Sequence, residues 1–170
     1  MPRLVSISMQ SIAFLRLMDN HHAEALGAVF VSEVYCAGDV IVPQGRPWGY
    51  VRVVAEGDVE VRSVGGTATT IKFGGSIGEV SILEPNSIAQ ATVRAGSDGA
   101  VMLRASRAEI IDYLATFPEC AEAFYRGLAT ALAGLLLESD AKVVKLSAEL
   151  SRSLLRDESG PIVKRLRRVI

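Results

Sequence analysis

Cysteine is scarce in this chain of 170 residues: Cys36 and Cys120 are the only two, far apart and in neither metal-ligand nor redox spacing. That excludes a disulfide framework and a thiolate metal site, and it points to a thiol-keeping cytoplasm with both thiols packed in the core. Histidine is as sparse. His21 and His22 are adjacent, and neighbours on a helix do not face the same way, so a surface role is expected for both. No metal is implied, and histidine-assisted nucleophilic catalysis lacks its base. Nothing resembles a nucleophile elbow either. Charge of one sign is missing too, since the formal net charge is -1, which points to no polyanionic partner. Long hydrophobic runs are also absent. The most apolar segment, residues 127–137, is about half of the ~20 residues needed to cross a bilayer, and Arg16 interrupts the stretch from Ile12 to Leu15 far short of a signal-peptide core. Neither a membrane span nor export is expected.

What remains is an ordinary soluble composition, 49% hydrophobic, with length enough for one core and helical additions. Residues 1–33 read as a helical segment, with Ile12, Phe14, Leu15, Met18 and Leu26 on two short helices broken near Asn20. Asp19 or Asn20 would cap the second. From Val34 the period changes to short β-branched runs, broken by Gly38-Asp39, Pro43-Gln44-Gly45, Pro47-Trp48-Gly49 and Glu56-Gly57-Asp58. Such punctuation belongs to strands joined by tight turns. Val51–Ala55 and Val59–Arg62 flank Gly57 like the arms of a hairpin. Gln90–Ala95 and Ala100–Ala105 flank a turn at Gly96-Ser-Asp-Gly99 in the same way. Ser106 and Glu109 then form a capping box for a helix over 106–116, and Pro118 opens the next helix.

That last helix is predicted over residues 117–156, with Leu128, Leu132, Leu135, Ser139, Val143, Leu146 and Leu150 spaced mostly by three and four. Such a seam normally faces another helix, and a parallel homodimer is expected through Leu128, Leu132, Leu135, Val143 and Leu146. Packing on the chain's own β domain is the other reading. Residues 157–170 form a basic tail with Lys164, Arg165, Arg167 and Arg168, read as a solvated end.

Short strands between terminal helices suggest a jelly-roll-like sandwich enclosing a small cavity. The run Cys36-Ala-Gly-Asp-Val-Ile-Val-Pro-Gln-Gly-Arg-Pro47, followed by Tyr50-Val-Arg-Val-Val-Ala-Glu-Gly-Asp-Val-Glu-Val61, resembles the first half of the cyclic-nucleotide-binding domain family, which includes the catabolite activator proteins. Phe73-Gly-Gly-Ser-Ile-Gly-Glu-Val-Ser-Ile-Leu83 looks like that family's phosphate-binding cassette, with Gly78-Glu79 as its signature pair. The resemblance implies a double-stranded β-helix over residues 34–116, mainly β with flanking helices. It implies a regulatory domain that is not an enzyme, with cAMP or cGMP as ligand. The site it implies comprises Gly78, Glu79, Val80, Ser81, Ala89, Gln90, Ala91 and Thr92, with Glu79 accepting a ribose hydroxyl. Ser139 on the long helix is either a contact to the base or a polar interruption of the seam.

One position departs from the family. Where its pattern has an arginine that pairs with the cyclic phosphate, this chain has Ala89. Losing a charge-assisted arginine contact forfeits about 1.5–3 kcal/mol, so binding is expected to be weak or absent. Arg94 is near in sequence but is not expected to replace it, because strand alternation puts it on the side of Thr92 and not of Ala89. Two readings therefore stay open, a nucleotide sensor and a degenerate β-roll that serves as a dimerisation or protein-docking scaffold. The family's usual DNA-binding helix-turn-helix has no place in the 20 residues past Leu150, which include the Gly160-Pro161 break. Either this protein is not itself a transcription factor or the sequence is cut short before such a domain, and specific DNA binding by this chain is not expected. Metal-dependent relatives of the β-roll need several converging ligands, which this sequence lacks.

Overall fold

The computed structural model describes residues 7–66 and 68–158, with side chains to Ser153. Asp19 caps helix α1 (Asn20–Gly27), its carboxylate accepting from the His22 N–H at 2.9 Å. The helix expected before it is only a 3₁₀ turn, Met9–Ser11, and Ser8 at its start makes no side-chain cap to satisfy the free N–H groups. Ile12, Phe14, Leu15 and Met18 are nonetheless buried, on irregular backbone.

Six antiparallel strands follow: β1 (Val31–Tyr35), β2 (Val40–Val42), β3 (Tyr50–Ser63), β4 (Ala68–Lys72), β5 (Ser76–Ile77) and β6 (Ala91–Ser106). The order is β1-β6-β3-β4, with β2 on β6 and β5 on β3. The β domain thus begins at Val31, earlier than the sequence boundary at 34. Both expected hairpins give way to a single long pair, β3 against β6. Gly57 does take a positive φ of 75°, but the backbone there bulges and runs on. The register slips on both sides of it, and a Cβ at 57 would collide with the Gly99 carbonyl. A left-handed glycine bends a strand as readily as it reverses one.

Alternation along β3 splits the core in two. Val51 and Val53 join Phe14, Ile110, Phe124 and Leu128 in one cluster, while Val54 and Val59 join Ile41, Val42, Ala89 and Met102 in the other. Helix α2 (Val80–Leu83) follows β5, and α3 (Arg107–Thr116) follows β6. The capping box of α3 forms as expected: Ser106 Oγ accepts from Glu109 N at 3.1 Å, and the Glu109 carboxylate accepts from Ser106 N at 2.8 Å. After a 3₁₀ turn at Pro118–Cys120 comes α4 (Ala121–Glu158).

The chain divides into two compact units, Met1–Leu132 and Ala133–Ile170. Within the first, the initial turns of α4 close the core. Leu128, expected in an intermolecular seam, is fully buried there, and Leu132 is partly buried against the same cluster. A side chain with no accessible surface in its own chain has none to offer a partner, so Leu128 leaves the seam. Cys120 is buried, its thiol pushed up by desolvation. Cys36, expected in the core, is exposed in the turn before β2, where its N–H donates to Asp39. His22, expected at the surface, packs on Phe117 and meets the Tyr113 hydroxyl at 3.1 Å through Nδ1.

In the second unit, the remainder of α4 keeps Leu135, Leu136, Leu137, Val143, Leu146 and Leu150 exposed. By length and composition alone, this helix is apolar and long enough to cross a bilayer, more than its short apolar run suggested. Residues 159–170, with the basic tail, lie outside the described residues.

Candidate functional site

Gly78 opens the cassette with φ 91°, and a Cβ there would collide with the Tyr50 carbonyl and with Trp48 Nε1. Its carbonyl accepts from Ser81 N at 2.9 Å and from Ser81 Oγ at 2.7 Å. These bonds wind α2 immediately after the turn. Glu79 is buried, and its carboxylate accepts from the Ser76 hydroxyl. At the other end of α2, Arg107 Nε donates to Ile82 O at 3.1 Å, which ties the cassette to α3.

Opposite the cassette, the segment leading into β6 is clipped to residues 44–48. Trp48 N donates to Ser87 O at 2.9 Å, and Ser87 Oγ donates back to Trp48 O at 3.1 Å. Ala89 N donates to Arg46 O at 2.9 Å, and Gly45 N to Ala89 O at 2.8 Å. The Gln44 N–H reaches Thr92 Oγ1 at 3.3 Å.

Between these two walls lies a cavity of about 500 Å³. Six of the sequence-predicted residues line it: Gly78, Val80, Ser81, Ala89, Gln90 and Ala91. Glu79 and Thr92 are bonded beside it without forming its wall. Ser139 is exposed on α4, in the other unit. Arg94 turns away, its Nη1 donating to Gly38 O at 3.1 Å. Val42, Trp48, Ile77, Ser87 and Val93 also line the cavity and were not read from the sequence. Among the described residues, no lysine or arginine is on this wall, and Glu84 is its one charged side chain. The cavity is thus neutral to acidic at its surface, apolar over much of its extent, and furnished with hydroxyl and amide groups at the cassette.

A charged group lies against Trp48. Glu33 accepts from Arg52 Nε at 3.0 Å, from Arg104 Nε at 2.7 Å and from the Tyr35 hydroxyl at 2.7 Å. Burial alone would raise the Glu33 pKa, but the Tyr35 hydrogen bond and the two arginines outweigh it and hold the carboxyl below its usual range. Burial, and then the bond to Glu33, push the Tyr35 phenol up. Arg52 lies 4.8 Å from the Trp48 ring centroid, and Arg104 lies 4.7 Å from that of Tyr50.

The family model for the cyclic nucleotide-binding domain matches residues 32–117, half of the chain. The chain belongs to the cyclic nucleotide-binding domain family. This family is one of regulatory modules, and solved relatives share the fold. The Thermus thermophilus catabolite activator protein superposes with a TM-score of 0.65 at 22% identity, over 79% of this chain and 63% of that one. This chain therefore spans less than two thirds of that protein's length. The N-terminal domain of a transcriptional regulator from Streptomyces coelicolor gives 0.66 at 22% identity, over 80% of this chain and 95% of that one. A cyclic nucleotide-binding domain from Methylobacillus flagellatus gives 0.69 at 16% identity, over 81% and 83%. At these identities the likeness is one of fold. As a cyclic nucleotide-binding domain, the chain has its cavity where the cassette and the strand-entering segment face each other. Among the described residues, no group of three or more His, Cys, Asp or Glu side chains is placed to hold a metal.

Proposed function

We propose that this chain is a dimeric, cytoplasmic sensor domain that binds a cyclic nucleotide weakly and reports it without catalysis. The observation that carries this reading is the cavity itself, with Gly78, Val80 and Ser81 on one wall and Ala89 to Ala91 on the other. Ala89 stands where the family pattern has its arginine, and its methyl group occupies the wall without charge. A lost charge-assisted contact of about 1.5–3 kcal/mol weakens binding by about tenfold to about 150-fold. Dimerisation runs through the exposed α4 residues Leu135, Val143 and Leu146, with Leu132 at their edge. Ser139, on the same helix, contacts the base of the ligand or fixes the register of the pair.

The test is calorimetry with cyclic AMP and cyclic GMP. Weak, saturable binding that Glu79→Ala abolishes is the expected result. Ala89→Arg should tighten it by at least about tenfold. No heat from the wild-type chain with either nucleotide overturns the sensor. A second reading then takes over, supported by the absence of any cationic side chain among the described residues of the cavity wall: a β-roll that binds no nucleotide and serves as a dimerisation or protein-docking scaffold.

A further inference from the structure

Beside the cavity, two arginines share one carboxylate. Arg52 and Arg104 both bond Glu33, which leaves the group one positive charge in excess. Arg52 is only 7% exposed, and its Nη1 is buried with no hydrogen-bond partner among the described residues. A buried cationic N–H without an acceptor is costly, and such a group calls for an explanation. Part of its stabilisation comes from aromatic faces: the guanidinium carbon lies 4.8 Å from the Trp48 centroid and 5.5 Å from that of Tyr50.

Trp48 connects this cation to the cavity. Trp48 belongs to the cavity wall, and its indole Nε1 occupies the space a Cβ on Gly78 would need. Cassette opening, indole and guanidinium are therefore contiguous. The Trp48 backbone is fixed by its paired bonds to Ser87, so only the side-chain torsions are free to move the ring between staggered positions.

We propose that Trp48 is a movable partition, and that Arg52 behind it is the cation recruited by the phosphodiester of a nucleotide in this cavity, in place of the arginine missing at position 89. The inference rests on the sensor reading given above. When the indole turns aside, Arg52 exchanges a π face for an oxyanion, and the unpartnered N–H gains an acceptor. The carboxylate of Glu33 competes for the same guanidinium. Its removal and the removal of Arg52 must therefore act in opposite directions.

Trp48 is the only tryptophan, so its fluorescence reports this movement without interference. The full chain is titrated with cyclic AMP, and with adenosine as a neutral control. Cyclic AMP should change the emission and adenosine should not. Arg52→Gln, which leaves Glu33 paired to Arg104, should weaken cyclic AMP binding by about tenfold or more. Glu33→Gln should tighten it by about threefold, because it frees the guanidinium. A merely structural role moves both variants the same way, since each breaks the Arg52–Glu33 bond. Cyclic AMP binding that Arg52→Gln leaves unchanged, or that both variants weaken, overturns the partition and leaves the sensor standing. A wild-type chain that binds no cyclic AMP overturns both.

Discussion

The first turns of α4 and its later turns carry the same kind of leucine at the same kind of spacing, yet they meet opposite fates. Phe124 and Leu128 are fully buried in the chain's own core, in the cluster that holds Phe14 and Val51. From Leu135 to Leu150 the apolar side chains stand open, Leu135 at 52% exposure and Leu150 at 63%. Periodicity alone does not separate these two cases. It shows that a helix has an apolar stripe, while the partner is set by whatever lies within reach of that stripe. Near Pro118 the reach is to the β-roll and α1; thirty residues on, the stripe has no cover among the described residues of its unit. An exposed run of leucine and valine costs solubility unless another surface covers it, and the proposed dimer supplies that surface.

The sharpest way to break this comparison is to truncate the buried leucine. Leu128→Ala should lower the unfolding free energy by about 3 kcal/mol, from lost transfer energy and the cavity left behind. Chemical denaturation measures it. A loss of no more than about 0.5 kcal/mol, the level of an ordinary surface change, would mean that the first turns are not the core the structure shows.

A smaller effect calibrates a contact satisfied within the chain by polar groups instead. Ser106→Ala removes one half of the capping box that starts α3, where Ser106 Oγ accepts from Glu109 N. The expected loss is about 1 kcal/mol. The Glu109 carboxyl is held below its usual range mainly by its hydrogen bonds to the Ser106 side chain and backbone. A group whose pKa is lowered by folding stabilises the fold above its ordinary pKa, and that contribution vanishes as the pH falls through the folded value. The difference between wild type and Ser106→Ala should therefore shrink in acid. An equal loss at neutral and acid pH would show that the Ser106 hydroxyl contributes nothing through the carboxylate.

The caps were legible in the sequence because they are local: Asp19, Ser106 and Glu109 act on N–H groups three residues away. The cassette was legible for the same reason, since its glycines and Ser81 close a turn within one short segment. Continuity of strands was not. Gly57 shows a positive φ is needed, but whether the chain reverses or bulges depends on β6, forty residues later. The cavity wall was half read, because Trp48 and Ser87 come together only when residues 44–48 pair with 87–90. The group around Glu33 was missed altogether. Its arginines are 19 and 71 residues away, and no spacing rule connects them.

The last test concerns the exposed end of α4, where the expected change in the stability of the single chain is the smallest. Leu135→Asp adds a charge to a side chain that is already half in water, so the folded monomer should lose no more than about 0.5 kcal/mol. In a dimer the same carboxylate would be buried against its own copy across the seam, and two like charges out of water repel strongly. Light scattering should then report a monomer for Leu135→Asp and a dimer for the wild type, while denaturation of the two at high dilution nearly coincides. A variant that stays dimeric places the interface elsewhere and leaves the leucine stripe without its proposed partner. Destabilisation of the diluted variant as large as that of Leu128→Ala would remove the distinction between the two halves of the helix.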